Sequence, residues 1–237
     1  MGLCYNPSIM ETAESSKFLV PGAIMVAGAL IAGAIYYGDK TSSGKPTPSQ
    51  DPGKIELAPV AGGDHILNGG GAQIFIVEYS DTECPFCKVF HNTMKDVLSA
   101  YGTEVAWVYR HLPIPQLHQR AMSEAIATEC IADLAGNTAF WTYLDKIFTT
   151  TNSNDSLDPV NLTKFATEAG VNLQAFEACR KDPKIEERIN KSVEDGYKAG
   201  ARGTPYSLIV DKDGKVLDTI NGAEPLQNIK VKLDAHL

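Results

Sequence analysis

Apolar positions change their spacing several times along the chain, and each change marks an element. Residues 18–37, FLVPGAIMVAGALIAGAIYY, carry no charged side chain over 20 positions. At 1.5 Å per residue a helix of that length spans about 30 Å, the hydrocarbon thickness of a bilayer, so the stretch predicts a single transmembrane helix. Its glycines and Pro21 weaken a soluble helix but are common in membrane ones. A cleaved signal peptide is the competing reading, because Ala32-Gly33-Ala34 offers small residues of the cleavage-site type. The length of the run, and the acidic Glu11 and Glu14 before it, favour an uncleaved anchor behind a short N-terminus at 1–17. Lys17 on one side is balanced by Lys40 and Lys45 on the other, so charge alone does not orient the span. Residues 38–60 are rich in Gly, Pro, Ser, Thr and charge and read as a flexible linker.

From residue 61 the pattern is that of a folded domain. Gln73–Ser80 is a β-branched and aromatic run of strand length. Phe86, Phe90, Met94, Val97 and Tyr101 then recur at helical spacing, and Gly102 ends the helix. Val105–Tyr109 is a second buried strand. Strand, helix and strand over this distance make a βαβ unit with parallel strands. A helical block of about 113–201 follows, with helices over Arg120–Leu134 and Ala139–Phe148 and after the caps Asp158-Pro159, Asn172 and Asp182-Pro183. Tyr206–Val210 and Val216–Ile220 flank a hairpin turn, and a helix over Pro225–Ala235 closes the pattern. The fold class is α/β with a helical insertion.

Composition narrows the function. Lys+Arg 21 against Asp+Glu 29 leaves a net charge of −8, which argues against nucleic-acid partners. Five cysteines in 237 residues are too few for a disulfide scaffold and enough for redox chemistry. Cys84-Pro85-Phe86-Cys87 sits where strand gives way to helix. The helix N-terminus presents unpaired N–H groups and a positive dipole end that stabilise a thiolate on Cys84. A spacing of i, i+3 brings Cys87 within disulfide reach, and Pro85 fits the first helical turn. Cys84 is thus the candidate nucleophile and Cys87 the buried resolving thiol. A structural zinc site would need a second CxxC or a fourth ligand beyond Cys84, Cys87 and His91, so no metal is expected. Glu78 on the preceding strand is a candidate proton shuttle, although a surface carboxylate fits the pattern equally. His111 and His118, flanking Pro113 and Pro115, read first as structural or surface groups.

IVEYSDTECPFCKVFH at 76–91, RGTP at 202–205 and the helical block between βαβ and ββα resemble the DsbA-type branch of the thioredoxin superfamily. The resemblance covers residues 61–237 and implies a thioredoxin-like fold with an inserted helical domain, here preceded by a single transmembrane helix. It assigns Cys84 and Cys87 as the redox pair and Thr204-Pro205 as a loop with a cis proline beside it. Phe140-Trp141 and the pair Cys130 and Cys179 also resemble members with a second, structural disulfide. Two buried free thiols are the plainer reading. With Cys4 on the cytosolic side, however, pairing Cys84 with Cys87 leaves these two for each other. A disulfide persists only in an oxidising compartment, which orients the anchor with the domain outside the cytosol.

The function implied is a membrane-tethered thiol–disulfide oxidoreductase of the bacterial inner membrane. It would be single-pass, with its catalytic domain on the periplasmic side, and would introduce disulfides into exported proteins. It requires no cofactor, and the resemblance implies a membrane quinone-linked reoxidant. A monomer is expected, since no apolar heptad stalk precedes the domain. Two departures stand out: Pro-Phe replaces Pro-His between the cysteines, which removes one source of thiolate stabilisation, and threonine precedes the proline, as in the isomerases. A disulfide isomerase or reductase, or a non-catalytic peptide-binding module on the same fold, remain the alternatives.

Overall fold

The computed structural model describes residues 55–237. The N-terminus at 1–17, the transmembrane span at 18–37 and most of the linker lie outside the described residues. Among the described residues no helix is long and apolar enough to cross a membrane.

A five-stranded sheet forms the frame: β1 (His65–Leu67), β2 (Ile74–Ser80), β3 (Val105–His111), β4 (Tyr206–Asp211) and β5 (Val216–Asn221), in the spatial order β1-β3-β2-β4-β5. Only β2 and β3 run parallel, and they are joined by α1 (Pro85–Tyr101). The antiparallel neighbours are β1 on β3, β4 on β2 and β5 on β4. Between β3 and β4 lies the helical insertion: α2 (Ala121–Thr150), α3 (Val160–Glu168), α4 (Leu173–Cys179) and α5 (Pro183–Lys198). The last helix, α6 (Leu226–Asp234), returns against α1.

Period two explains the burial of the central strands. Ile74 and Ile76 of β2, with Trp107 and Ile209, face Phe90, Met94 and Val97 of α1 and Ile229 and Leu233 of α6. Val77 and Tyr79 face the opposite way, onto Val108, Leu208 and Ala201. A separate core inside the insertion gathers Ile131, Tyr143, Phe165, Phe176 and Ile189. Gly196 of α5 lies so close to β2 that a Cβ there would stand 2.9 Å from the Tyr79 ring, a contact only glycine permits.

Two readings of the sequence shift in detail. The helices expected over 120–134 and 139–148 form one element, α2, broken where Gly136 takes φ 82° and ψ 177°. The folded unit also begins before residue 61. Ile55, Leu57 and Val60 pack against the Val77 face of the sheet. Arg110 donates to the carbonyls of Ala58 and Pro59 and to Asp64 and Asp195, which pins this segment down.

Candidate active site

Cys84 occupies the N-cap of α1 with extended backbone (φ −76°, ψ 123°), and Pro85 follows in the first turn. Both Cys84 and Cys87 are free thiols, and both are buried. Cys84 Sγ donates to the Thr204 carbonyl at 3.3 Å. The Thr204–Pro205 peptide bond is cis. Cys87 Sγ accepts from the Asp81 N–H at 3.4 Å.

The two thiols are pushed in opposite directions. A hydrogen bond from Cys87 holds the Cys84 pKa down at about 6; burial opposes this, while Thr204 and the backbone N–H groups of Cys87 and Phe86 assist. Burial drives the Cys87 thiol well above its ordinary value, and the neighbouring Cys84 charge adds to it. One sulfur is thus ready to carry charge near neutrality and the other to hold its proton.

Glu78 shares the strand face of Ile76 and is fully buried, 1% exposed. Burial raises its pKa to about 7 despite the hydrogen bond from Trp107, and the Cys84 charge contributes to the rise. Trp107 Nε1 donates to Glu78 Oε2 at 2.8 Å, whereas Oε1 has no protein partner.

Three groups around the pair carry more than the sequence revealed. Asp81 is buried at the end of β2 and accepts from the N–H groups of Glu83 and Ile114 and from His118 Nδ1 at 3.0 Å. Burial opposes charge on His118, but Asp81 and the Cys84 thiolate outweigh it and raise its pKa. His118 is buried and lines the same groove as Cys84. Glu83, directly before Cys84, accepts from the N–H groups of Asp155 and Leu157 and from the Thr151 hydroxyl. It ties α1 to a loop in which Ser153, Asn154 and Asp155 all take positive φ. A charged residue one or three positions before a CxxC was the available signal for Glu83 and Asp81.

A groove of about 490 Å³ opens over Cys84 between Phe86, Leu117, His118, Tyr197 and Thr204. Phe86, Leu117 and Tyr197 are 64%, 68% and 48% exposed, an apolar rim around a reactive sulfur. Cys130 and Cys179 lie apart from it and are joined by a disulfide, with Cα atoms 5.8 Å apart. The bond staples α2 to the end of α4.

A family model described as Thioredoxin matches residues 63–229. The chain belongs to the thioredoxin family. Among solved structures, DsbA2 of Pseudomonas aeruginosa is 25% identical with a TM-score of 0.62, covering 76% of this chain and 96% of that one. BdbD of Bacillus subtilis, at 18% identity and a TM-score of 0.65, covers 77% and 97% and shares the fold. With that family match, the helical insertion and the likeness to DsbA structures, residues 63–229 form a DsbA-type thiol–disulfide oxidoreductase domain of the thioredoxin family. Curated relatives include Na(+)/H(+) antiporters NhaA from Mycolicibacterium gilvum, 29% identical over 151 residues, and from Herminiimonas arsenicoxydans, 31% over 146. These alignments cover 63% and 62% of this chain. The chain spans about a quarter of the length of these relatives, 24% and 22%. The thioredoxin-family core of this chain is what the structure describes.

Proposed function

We propose that the protein is a membrane-tethered thiol–disulfide oxidoreductase that introduces disulfides into exported proteins. The observation that carries this reading is the asymmetry of the pair: Cys84 held down at about 6 and Cys87 pushed up, beside a cis-proline loop and an apolar groove. A stable Cys84 thiolate favours the reduced form of the pair, which makes the disulfide the stronger oxidant. Direction follows from that: the protein gives its disulfide away.

In the forward reaction a substrate thiolate attacks Cys84 Sγ of the oxidised pair. A mixed disulfide forms, and Cys87 leaves as a thiolate whose high pKa calls for a proton. Buried Glu78, poised near 7, is the group suited to supply it. A second substrate thiolate then attacks the substrate sulfur of the mixed disulfide and releases Cys84 as its stabilised thiolate. Two electrons have passed from substrate to enzyme, and a membrane quinone-linked partner would return the pair to the disulfide. The Thr204 backbone offers an extended substrate hydrogen bonds, while Phe86, Leu117 and Tyr197 cover its apolar side chains.

The uncharged 18–37 stretch supports tethering, and the Cys130–Cys179 disulfide supports an oxidising side for the domain, the bacterial periplasm. The deciding experiment is the reduction potential of Cys84–Cys87 in the full chain, equilibrated in glutathione buffers. A value of about −120 to −180 mV is expected; one near thioredoxin's −270 mV would make the protein a reductase. Loss of all reactivity in Cys84→Ser distinguishes an oxidoreductase from a peptide-binding module, which would keep its binding.

A further inference from the structure

Away from the redox pair, β1, β3 and the insertion bring two imidazoles and a carboxylate together. His65 and His111 project from one face of neighbouring antiparallel strands, since the register sets His65 opposite Tyr109, two residues before His111. The His65 ring stacks on Phe140 with centroids 3.6 Å apart and planes 12° apart, and His111 meets the same ring edge-on. Both imidazoles are thereby held in orientation. Glu129 reaches them from α2: its Oε1 lies 2.8 Å from His65 Nε2 and 3.3 Å from His111 Nε2. Thr128 Oγ1, 3.3 Å from His111 Nε2, is the other neighbour of that ring nitrogen.

This arrangement has the dimensions of a coordination sphere. The three donor atoms lie within 4.8 Å of one another. Ligands of a tetrahedral zinc ion, at bond lengths of about 2.0–2.2 Å, stand roughly 3.3 Å apart. The His65, His111 and Glu129 side chains are 12%, 3% and 7% exposed, so their orientation is fixed by packing rather than by solvent. Arg188 Nε donates to the far carboxylate oxygen, Oε2, at 2.8 Å. That contact leaves Oε1 to the imidazoles and aims the carboxylate, as outer partners of metal ligands do. A cavity of about 270 Å³ borders all three residues, with space for a water as a fourth ligand.

We propose that His65, His111 and Glu129 bind one divalent transition-metal ion, with zinc the fit to two nitrogens and one oxygen, and that the ion ties β1 and β3 to the helical insertion. The site is separate from the cysteines and its occupancy adds stability in proportion to free ion.

The test is a zinc titration of the full chain, purified without a histidine tag, with Cys84–Cys87 oxidised and Cys4 alkylated so that no thiolate competes. One bound equivalent is expected, with a melting temperature that climbs as free zinc rises. His65→Gln and Glu129→Gln should each weaken binding at least about tenfold, while His91→Gln, outside the cluster, should leave it intact. Cobalt(II) in the wild-type protein should give a visible d–d band with no thiolate charge-transfer band, and zinc should shift two histidine ring-nitrogen resonances. Those wild-type measurements decide the matter even if a variant fails to fold. Absence of saturable binding, binding unchanged in both His65→Gln and Glu129→Gln, or a thiolate band in the cobalt spectrum would each overturn the proposal.

Discussion

The chemistry of this protein rests on how a few side chains are made to differ from their ordinary selves. Cys84 should react with iodoacetamide with a pH midpoint of about 6 in the reduced protein, fast above it and slow below it, while buried Cys87 stays unmodified. Peptide mapping after alkylation across pH 4 to 9 checks both statements. Glu78 gives a second prediction through linkage. Folding raises its pKa from 4.5 to about 7, so ionising it burdens the folded state and not the unfolded one. The penalty is absent at pH values below 4.5, grows up to about 7 and is constant above. Glu78→Gln should therefore stabilise the reduced protein at pH 8 by roughly 3 kcal/mol, with little change at pH 4, as denaturant unfolding would show. The same variant should slow disulfide transfer, because the proton for Cys87 is lost; a variant that is more stable yet equally fast would remove Glu78 from the mechanism.

At the level of elements, a single carboxylate couples α1 to the loop after α2. Glu83 is fully buried and takes hydrogen bonds from Asp155, Leu157 and Thr151. Glu83→Ala leaves those donors buried without partners and should cost about 2–4 kcal/mol in urea unfolding. Because Asn154 of that loop lines the groove over Cys84, the variant should also weaken substrate capture. Strand and helix periods were readable in the sequence wherever an element ran long enough to repeat: β2, α1, β3 and β4 are within two residues of their expected limits. The three residues of β1 show no period, and they form a strand only because Ile66 and its neighbours find β3. Cys84 and Cys87 stood out in the chain because the motif is contiguous. Asp81, Glu83 and His118 did not, since each acts through contacts with residues from other elements. Glu78 was visible as a residue but not as a buried one, because β2 is covered on both faces and apolar alternation cannot mark a side.

On the scale of the whole molecule, the Cys130–Cys179 bond closes a segment of 49 residues and secures the insertion to itself. In the chain-entropy picture a loop of that size contributes about 4 kcal/mol. Replacing both cysteines by alanine should lower the stability by that order while leaving the reduction potential of Cys84–Cys87 unchanged, measurable by unfolding and by glutathione equilibration. A last consequence concerns time rather than energy. Cys84 reaches its partner Thr204 across 120 residues of sequence, and β2 must await β4 from the far side of the insertion before the sheet is complete. During synthesis, then, Cys84 emerges early as a thiol still lacking the Thr204 loop and enclosed by nothing. Only when the segment carrying Thr204 and β4 docks does that contact form, so the surroundings of this sulfur are completed by one of the last parts of the domain to be made.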